Sequence, residues 1–183
     1  RALLANGARK VIAVERDETM YQIARANFAR QGLLERNLKI IHGDALDIGL
    51  EPVDVILGEL LSTLMIHEPQ VPAFNRARSL LKPGGQMVPG VVVNLVTLAW
   101  SKFSSEGIAF RSPYSLFTGV HPPERMSESR RFFSADFMSG EVPMAVTAAV
   151  EVEALFEGEI NALVLETLIE TAPGFTFGGS ASL

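Results

Sequence analysis

The sequence has no cysteine among its 183 residues, which excludes disulfides, thiolate metal sites and a cysteine nucleophile together. Histidine is scarce as well: the three at 42, 67 and 121 are too scattered to predict a metal site. Positive charge is not in excess. Sixteen Lys and Arg stand against 21 Asp and Glu, giving a formal charge of −5 and a pI near 5.3, the wrong sign for gripping a nucleic-acid backbone by counterion release. A basic partner or a neutral small molecule suits that balance better. Gly, Pro or a charge interrupts every hydrophobic stretch before it reaches about 18 residues, so no membrane-spanning helix is expected. The fingerprint Gly-x-Gly-x-x-Gly is also missing, and Gly84-Gly85 therefore reads as a turn, without the context of a phosphate loop.

What is present has the composition of a folded chain: 48% hydrophobic and 20% charged residues. At roughly 100–200 residues per domain, the length fits one full domain or two incomplete ones. The chain opens without Met, and Arg1-Ala-Leu-Leu-Ala-Asn-Gly7 reads as the last turns of a helix with Gly7 at its C-cap. The expectation is that the protein begins upstream, which leaves room for a removed signal peptide.

From Lys10 to about Pro89, short β-branched runs alternate with helical stretches. Val11-Ile-Ala-Val14, ending in Glu15, reads as a strand buried on both faces. Asp17 and Glu18 start a helix whose apolar stripe is Met20, Ile23, Ala24 and Phe28, ending near Gly32. Leu38-Lys-Ile-Ile41 and Val53-Asp-Val-Ile-Leu57 read as further strands, and Val71 to Leu81 as a second helix stopped by Lys82-Pro-Gly-Gly85. Gln86-Met-Val88 follows as a short strand. This order predicts an α/β domain with a mostly parallel sheet, in which ligands bind beyond the carboxyl ends of the strands.

After Pro89 the pattern turns to antiparallel β structure, a partial barrel or sandwich. Val91 to Ala99 reads as a long strand, and Val146–Phe156 with Ile160–Thr171 as a hairpin around Glu157-Gly158. Ser101 to Glu141, with Pro113, Pro122, Pro123 and Phe103, Phe110, Phe117, Phe132 and Phe133, reads as mostly loop with one or two short elements. The Gly/Ser-rich end, Phe177 to Leu183, reads as lying past the last strand and as cut short.

The strand ends carry the candidate chemistry. A carboxylate at Glu15 can accept hydrogen bonds from both hydroxyls of a ribose; the plain alternative is a solvated strand end. Asp44, with the backbone amide of Ala45, can read an adenine edge, or can simply close an Asx turn. Glu59 and Glu68 lie nine residues apart around an apolar segment. Two carboxylates facing one cavity repel each other unless a cation lies between them, and a guanidinium matches them with paired, charge-assisted hydrogen bonds. Alternatively, Glu68 is an ordinary first-turn helix carboxylate before Pro69. His67 invites a role in proton transfer, but neighbours in sequence need not face the same way. Trp100 and the phenylalanines read as core or interface.

Ala8-Arg-Lys-Val-Ile-Ala-Val-Glu15, Gly43-Asp44, Val53-Asp-Val-Ile-Leu-Gly-Glu59 with Glu68 nine on, Leu81-Lys-Pro-Gly-Gly85 and Pro89 together resemble the protein arginine methyltransferases. Phe156-Glu-Gly-Glu-Ile-Asn-Ala-Leu163 is similar to a barrel hairpin of that family. The resemblance implies a partial Rossmann-like class I methyltransferase domain (residues 1–89) followed by a partial antiparallel β-barrel-like domain for substrate and dimerisation (residues 90–183). It implies S-adenosylmethionine as cofactor, held by Glu15, Arg16, Asp44, Ala45 and Glu59, with Glu59 and Glu68 catalytic and no metal. The expected partners are a basic, arginine-containing protein and a second copy of the chain, in the cytoplasm. The family's glycine loop would precede Arg1, and its His- and Trp-containing loop would follow Leu183. Leu60-Leu-Ser-Thr63 departs from the Trp-Met-Gly-Tyr that follows the first Glu in many members. Other readings weighed are a class I methyltransferase for another amine or small molecule, a non-catalytic scaffold, and a dinucleotide-dependent dehydrogenase, the last weakened by the Glu pair and the antiparallel second half.

Overall fold

The computed structural model of the chain describes residues 2–34, 37–105, 107–109, 123–172 and 174–182. The sequence readings at Phe110, Pro113, Phe117, His121 and Pro122, and those at the terminal residues Arg1 and Leu183, fall outside them. Two compact units emerge, Arg1–Glu51 and Pro52–Leu183.

The first unit contains α1 (Ala2–Ala5), β1 (Val11–Glu15), α2 (Glu18–Arg30) and β2 (Leu38–His42). Gly7 follows α1 at φ +96°, a left-handed position that suits glycine. β1 and β2 pair in parallel from Val11 opposite Leu38 to Glu15 opposite His42. Asp17 caps α2, its Oδ1 accepting the Met20 amide at 2.8 Å. The expected stripe on α2 is not buried within this unit: Met20 is 56% and Ile23 52% exposed. Periodicity marks the face a helix can bury, but an opposing surface must exist to cover it.

The second unit opens with β3 (Val53–Leu57), a short turn (Thr63–Met65), α3 (Gln70–Arg78) and β4 (Leu81–Val88). α3 ends at Arg78, three residues before the expected Leu81. The Lys82-Pro-Gly-Gly turn lies inside β4 instead of ending the helix. Val53 pairs with Leu81 and Val55 with Gln86, so Lys82 to Gly85 form a bulge opposite Asp54. Gly84 sits at φ +78°, and a Cβ on Gly85 would come within 3.0 Å of the Asp54 and Lys82 carbonyl oxygens. Glycine is thus needed within a strand and not only at a helix stop.

An antiparallel sheet follows, centred on β5 (Val91–Trp100). The two-residue strands β6 (Ser104–Ser105) and β7 (Ile108–Ala109) pair with each other. β8 (Glu124–Arg125) and β9 (Arg130–Asp136) pair with one edge of β5, so the stretch read as loop contributes a full strand. β10 (Ala162–Ala172) pairs with the other edge and, through a hairpin at Gly174, with β11 (Phe175–Ser182). The hairpin expected between Val146–Phe156 and Ile160–Thr171 is therefore replaced. Val146–Phe156 carries no strand, only a bridge from Ala154 to Ser127, and Val146, Val150, Leu155 and Phe156 are exposed. β propensity shows that a segment can fit a sheet; the pairing partner decides whether it does. Phe177 to Ser182 of the Gly/Ser-rich end belong to β11, contrary to the reading of that end as lying past the last strand.

Within the second unit, the larger of two buried apolar clusters among the described residues brings together Val71 and Phe74 of α3, Met87 of β4, Val92, Ala135, Phe137, Val142 and Ile169. Phe74 and Phe137 meet with ring centroids 4.9 Å apart.

Candidate functional site

In the first unit, parallel pairing sets the ends of β1 and β2 side by side, bringing Glu15, Arg16 and Asp44 together. The Gly43 amide donates to the Glu15 carbonyl at 3.0 Å. Each carboxylate is fixed by a backbone amide of its own turn. Glu15 Oε1 accepts from Asp17 N at 2.8 Å and Asp44 Oδ1 from Leu46 N at 2.9 Å. Asp44 thus closes an Asx turn, the plain alternative to a ligand role at this position. Arg16 Nη1 lies 3.7 Å from Asp44 Oδ2, an ion pair too long for a hydrogen bond. Two anchored acceptors at adjacent strand ends fit the hydroxyl and amine donors of an adenosine moiety.

His42 ties this end down. Its Nδ1 is 2.9 Å from Glu18 Oε2, its Nε2 3.0 Å from the Arg16 carbonyl oxygen, and its ring stacks on Tyr21 with centroids 5.2 Å apart. The sequence offered no sign of this role beyond the position of His42 at a strand end.

In the second unit, Glu59 leaves the end of β3 and Glu68 enters α3 one residue before Pro69. Both are exposed. Gly58 and Phe74 lock β3 and α3 together: a Cβ on Gly58 would stand 2.8 Å from the Phe74 ring. Glu59 Oε1 accepts the Leu61 amide at 3.2 Å. Among the described residues neither Glu59 nor Glu68 forms a salt bridge. The segment between them is held internally by Met65 N to Ser62 O at 2.9 Å and His67 N to Ser62 Oγ at 3.1 Å. His67 itself is exposed.

Three residues near this segment escaped sequence reasoning. Asn94 and Thr167 are buried polar residues in apolar strands, a signal readable as polar interruptions of Val92-x-x-x-Val96 and Leu165-x-x-x-Ile169. Gln70, two residues past Glu68, is fully buried, with neither amide atom hydrogen-bonded to a described residue. Elsewhere on the sheet, Arg125 grips Glu166 through two bonds of 2.9 and 2.8 Å. That hydrogen bonding holds the Glu166 carboxyl below the usual carboxylate range, against the opposing effect of partial burial.

Among the described residues no helix is long and apolar enough to cross a membrane.

Comparison with known proteins adds a partial match to a family model and a likeness of fold. Residues 1–85 match a family model described as a methyltransferase domain. A curated protein of Methanocaldococcus jannaschii, titled uncharacterised, is 35% identical over 105 residues, covering 56% of this chain and 40% of its own length. Another from Methanothermobacter thermautotrophicus, also titled uncharacterised, is 28% identical over 171 residues, covering 93% and 62% respectively. Among solved structures, the PRMT1 enzyme–prozyme heterotetrameric complex of Trypanosoma brucei with AdoHcy aligns with a TM-score of 0.76 at 22% identity, covering 97% of this chain and 62% of that one. Protein arginine methyltransferase 10 of Arabidopsis thaliana aligns with a TM-score of 0.77 at 18% identity, covering 96% and 64%. The chain thus spans less than two thirds of each of these proteins. In fold, the parallel strand pairs with their helices are Rossmann-like and the antiparallel sheet is a half-barrel, as in these two structures.

Proposed function

We propose, for a chain whose residues 1–85 match the methyltransferase-domain family and whose fold is that of the protein arginine methyltransferases, that it serves S-adenosylmethionine-dependent methylation of arginine in a basic protein. The observation that carries the arginine reading is the pair Glu59 and Glu68. They bracket one segment that runs from the end of β3 to the start of α3, and neither forms a salt bridge among the described residues, which leaves both carboxylates for a guanidinium.

In this reading Glu15 binds the ribose hydroxyls of the cofactor and Asp44 and Ala45 its adenine, with Arg16 beside them. The AdoHcy in the trypanosomal complex supports that cofactor class. Bound S-adenosylmethionine supplies an electrophilic methyl group. The protein's own contribution is positional and electrostatic. Glu59 and Glu68 accept hydrogen bonds from the guanidinium, fix its plane, and draw its positive charge toward the nitrogens they bind, which leaves the remaining nitrogen more nucleophilic. Free arginine is protonated at any working pH, so orientation and charge redistribution carry most of the burden. Residues 90–183 supply substrate-binding and self-association surfaces in the cytoplasm, and the net charge of −5 favours approach of a basic substrate.

The test is methyl transfer by the whole protein from S-adenosylmethionine to an arginine-containing peptide and to its lysine counterpart. Arginine-only transfer is expected, with Glu59→Gln and Glu68→Gln each lowering kcat/KM about a hundredfold or more. Undiminished transfer by both variants would reject the arginine reading and point to another amine or small molecule. Absence of saturable S-adenosylhomocysteine binding would reject the methyltransferase reading itself.

A further inference from the structure

Asn94 and Thr167 are direct cross-strand partners in the antiparallel pairing of β5 with β10. Both are polar, yet they are only 2% and 3% exposed, beside Val92, Val96 and Ile169. A polar side chain is stable in such a layer when its hydrogen bonds are made. Here Thr167 Oγ1 donates to Asn94 Oδ1 at 3.0 Å and accepts the Leu64 amide at 2.9 Å. A carbonyl oxygen can only accept, so the Thr167 proton is committed to Asn94 and a lone pair is left for Leu64.

Leu64 lies midway between Glu59 and Glu68, where the backbone is least comfortable. Leu64 and Met65 both adopt φ +59°, in the left-handed region that side-chain-bearing residues avoid. Such a conformation persists only where its surroundings over-determine it. The surroundings are visible: Leu61 and Met65 pack against the core on either side of Leu64, and the Leu64 amide is bonded to a hydroxyl of the sheet.

We propose that Asn94 and Thr167 are a positioning pair. They hold the Leu64 amide, stabilise the left-handed turn, and so give the segment bearing Glu59 and Glu68 a single conformation dictated by the β sheet. The proposal rests on the reading of those glutamates as guanidinium ligands, whereas the bond to Leu64 belongs to the fold. Guanidinium orientation, and not cofactor affinity, should therefore depend on a hydroxyl in β10.

Thr167→Val removes the hydroxyl at nearly constant shape, and Thr167→Ser restores it. Hydrogen exchange at the Leu64 amide is expected to accelerate at least about tenfold in Thr167→Val and to return to the native rate in Thr167→Ser. The Phe137 amide, bonded to the Gly90 carbonyl at 3.0 Å, should stay protected throughout and report that the sheet is folded. In methyl transfer to an arginine-containing peptide, Thr167→Val should lower kcat about ten- to a hundredfold, leave the KM for S-adenosylmethionine unchanged, and be rescued by Thr167→Ser. If Thr167→Val releases Phe137 too, Asn94→Ala takes its place, with Leu64 exposed to exchange and Phe137 protected. Native exchange at Leu64 in a folded variant overturns the proposal, as does an accelerated Leu64 with native kcat. If Glu59→Gln and Glu68→Gln leave transfer intact, the functional reading fails, while the exchange rates still decide whether the pair pins the turn.

Discussion

A Cβ placed on Gly58 would lie 2.8 Å from Cε2 and 3.1 Å from Cζ of Phe74. Phe74 is 2% exposed and packs against Phe137, so its ring has no free direction in which to retreat. The end of β3 and the first turns of α3 are consequently fixed to each other, and with them the points from which Glu59 and Glu68 depart.

Gly58→Ala should therefore destabilise the protein by about 1–3 kcal/mol, the usual cost of overpacking. It should also reduce methyl transfer through displacement of Glu59. Phe74→Leu, which leaves room for the added methyl, is expected to recover part of the lost stability in the double variant. Urea denaturation of the four species checks this. Strict additivity of the two single losses would show that Gly58 and Phe74 are not coupled.

Glu15 and Asp44 each accept a backbone amide with one carboxylate oxygen, and the second Asp44 oxygen faces Arg16 Nη1 at 3.7 Å. Removing the charge in Glu15→Gln should weaken S-adenosylhomocysteine binding about tenfold or more, since a hydrogen bond to a charged group contributes about 1.5–3 kcal/mol. Asp44→Ala should weaken it as well and loosen the turn at Leu46. Calorimetric titration of the whole protein measures both. An unchanged Kd in Glu15→Gln would remove Glu15 from the cofactor site.

The bidentate Arg125–Glu166 pair predicts a pH dependence of stability. Hydrogen bonding from Arg125 lowers the folded-state pKa of Glu166 beneath an unfolded value of about 4.3. Its stabilisation is complete above that unfolded value and is lost as the pH falls through the folded one. Both side chains are partly exposed, so Glu166→Gln should cost only about 0.5–1 kcal/mol near neutral pH. The difference between variant and native protein should vanish in acid below both values. A difference in urea midpoints that persists there would assign the loss to packing and not to charge.

Local patterns were legible wherever a short-range rule decides the outcome. The strands at Val11, Val53 and Val91 and the helix start at Asp17 and Glu18 follow from propensity and the helix dipole, although β1 and β3 are not buried on both faces as their apolar runs suggest. The placement of acids at strand ends followed with them. Less legible were features that depend on a distant partner. Val146–Phe156 alternates like a strand, yet β11 and not this segment pairs beside β10. Lys82-Pro-Gly-Gly85 has turn chemistry, yet pairing with β3 resumes beyond it and makes it a bulge. The stripe on α2 has helical spacing, yet Met20 and Ile23 are exposed.

By itself the sequence determined which residues can carry chemistry: carboxylates at the ends of strands, two more nine residues apart, and no thiol among 183 residues. These are matters of residue type and spacing along one chain. Only the tertiary structure decided how the Glu59–Glu68 segment is held. A buried hydroxyl at Thr167 bonds an amide 103 positions away, and a glycine is kept bare by a phenylalanine ring sixteen residues on. Such contacts arise from the pairing of β5 with β10 and the packing of α3 against β3, interactions between segments whose separation in sequence says nothing of their distance in space.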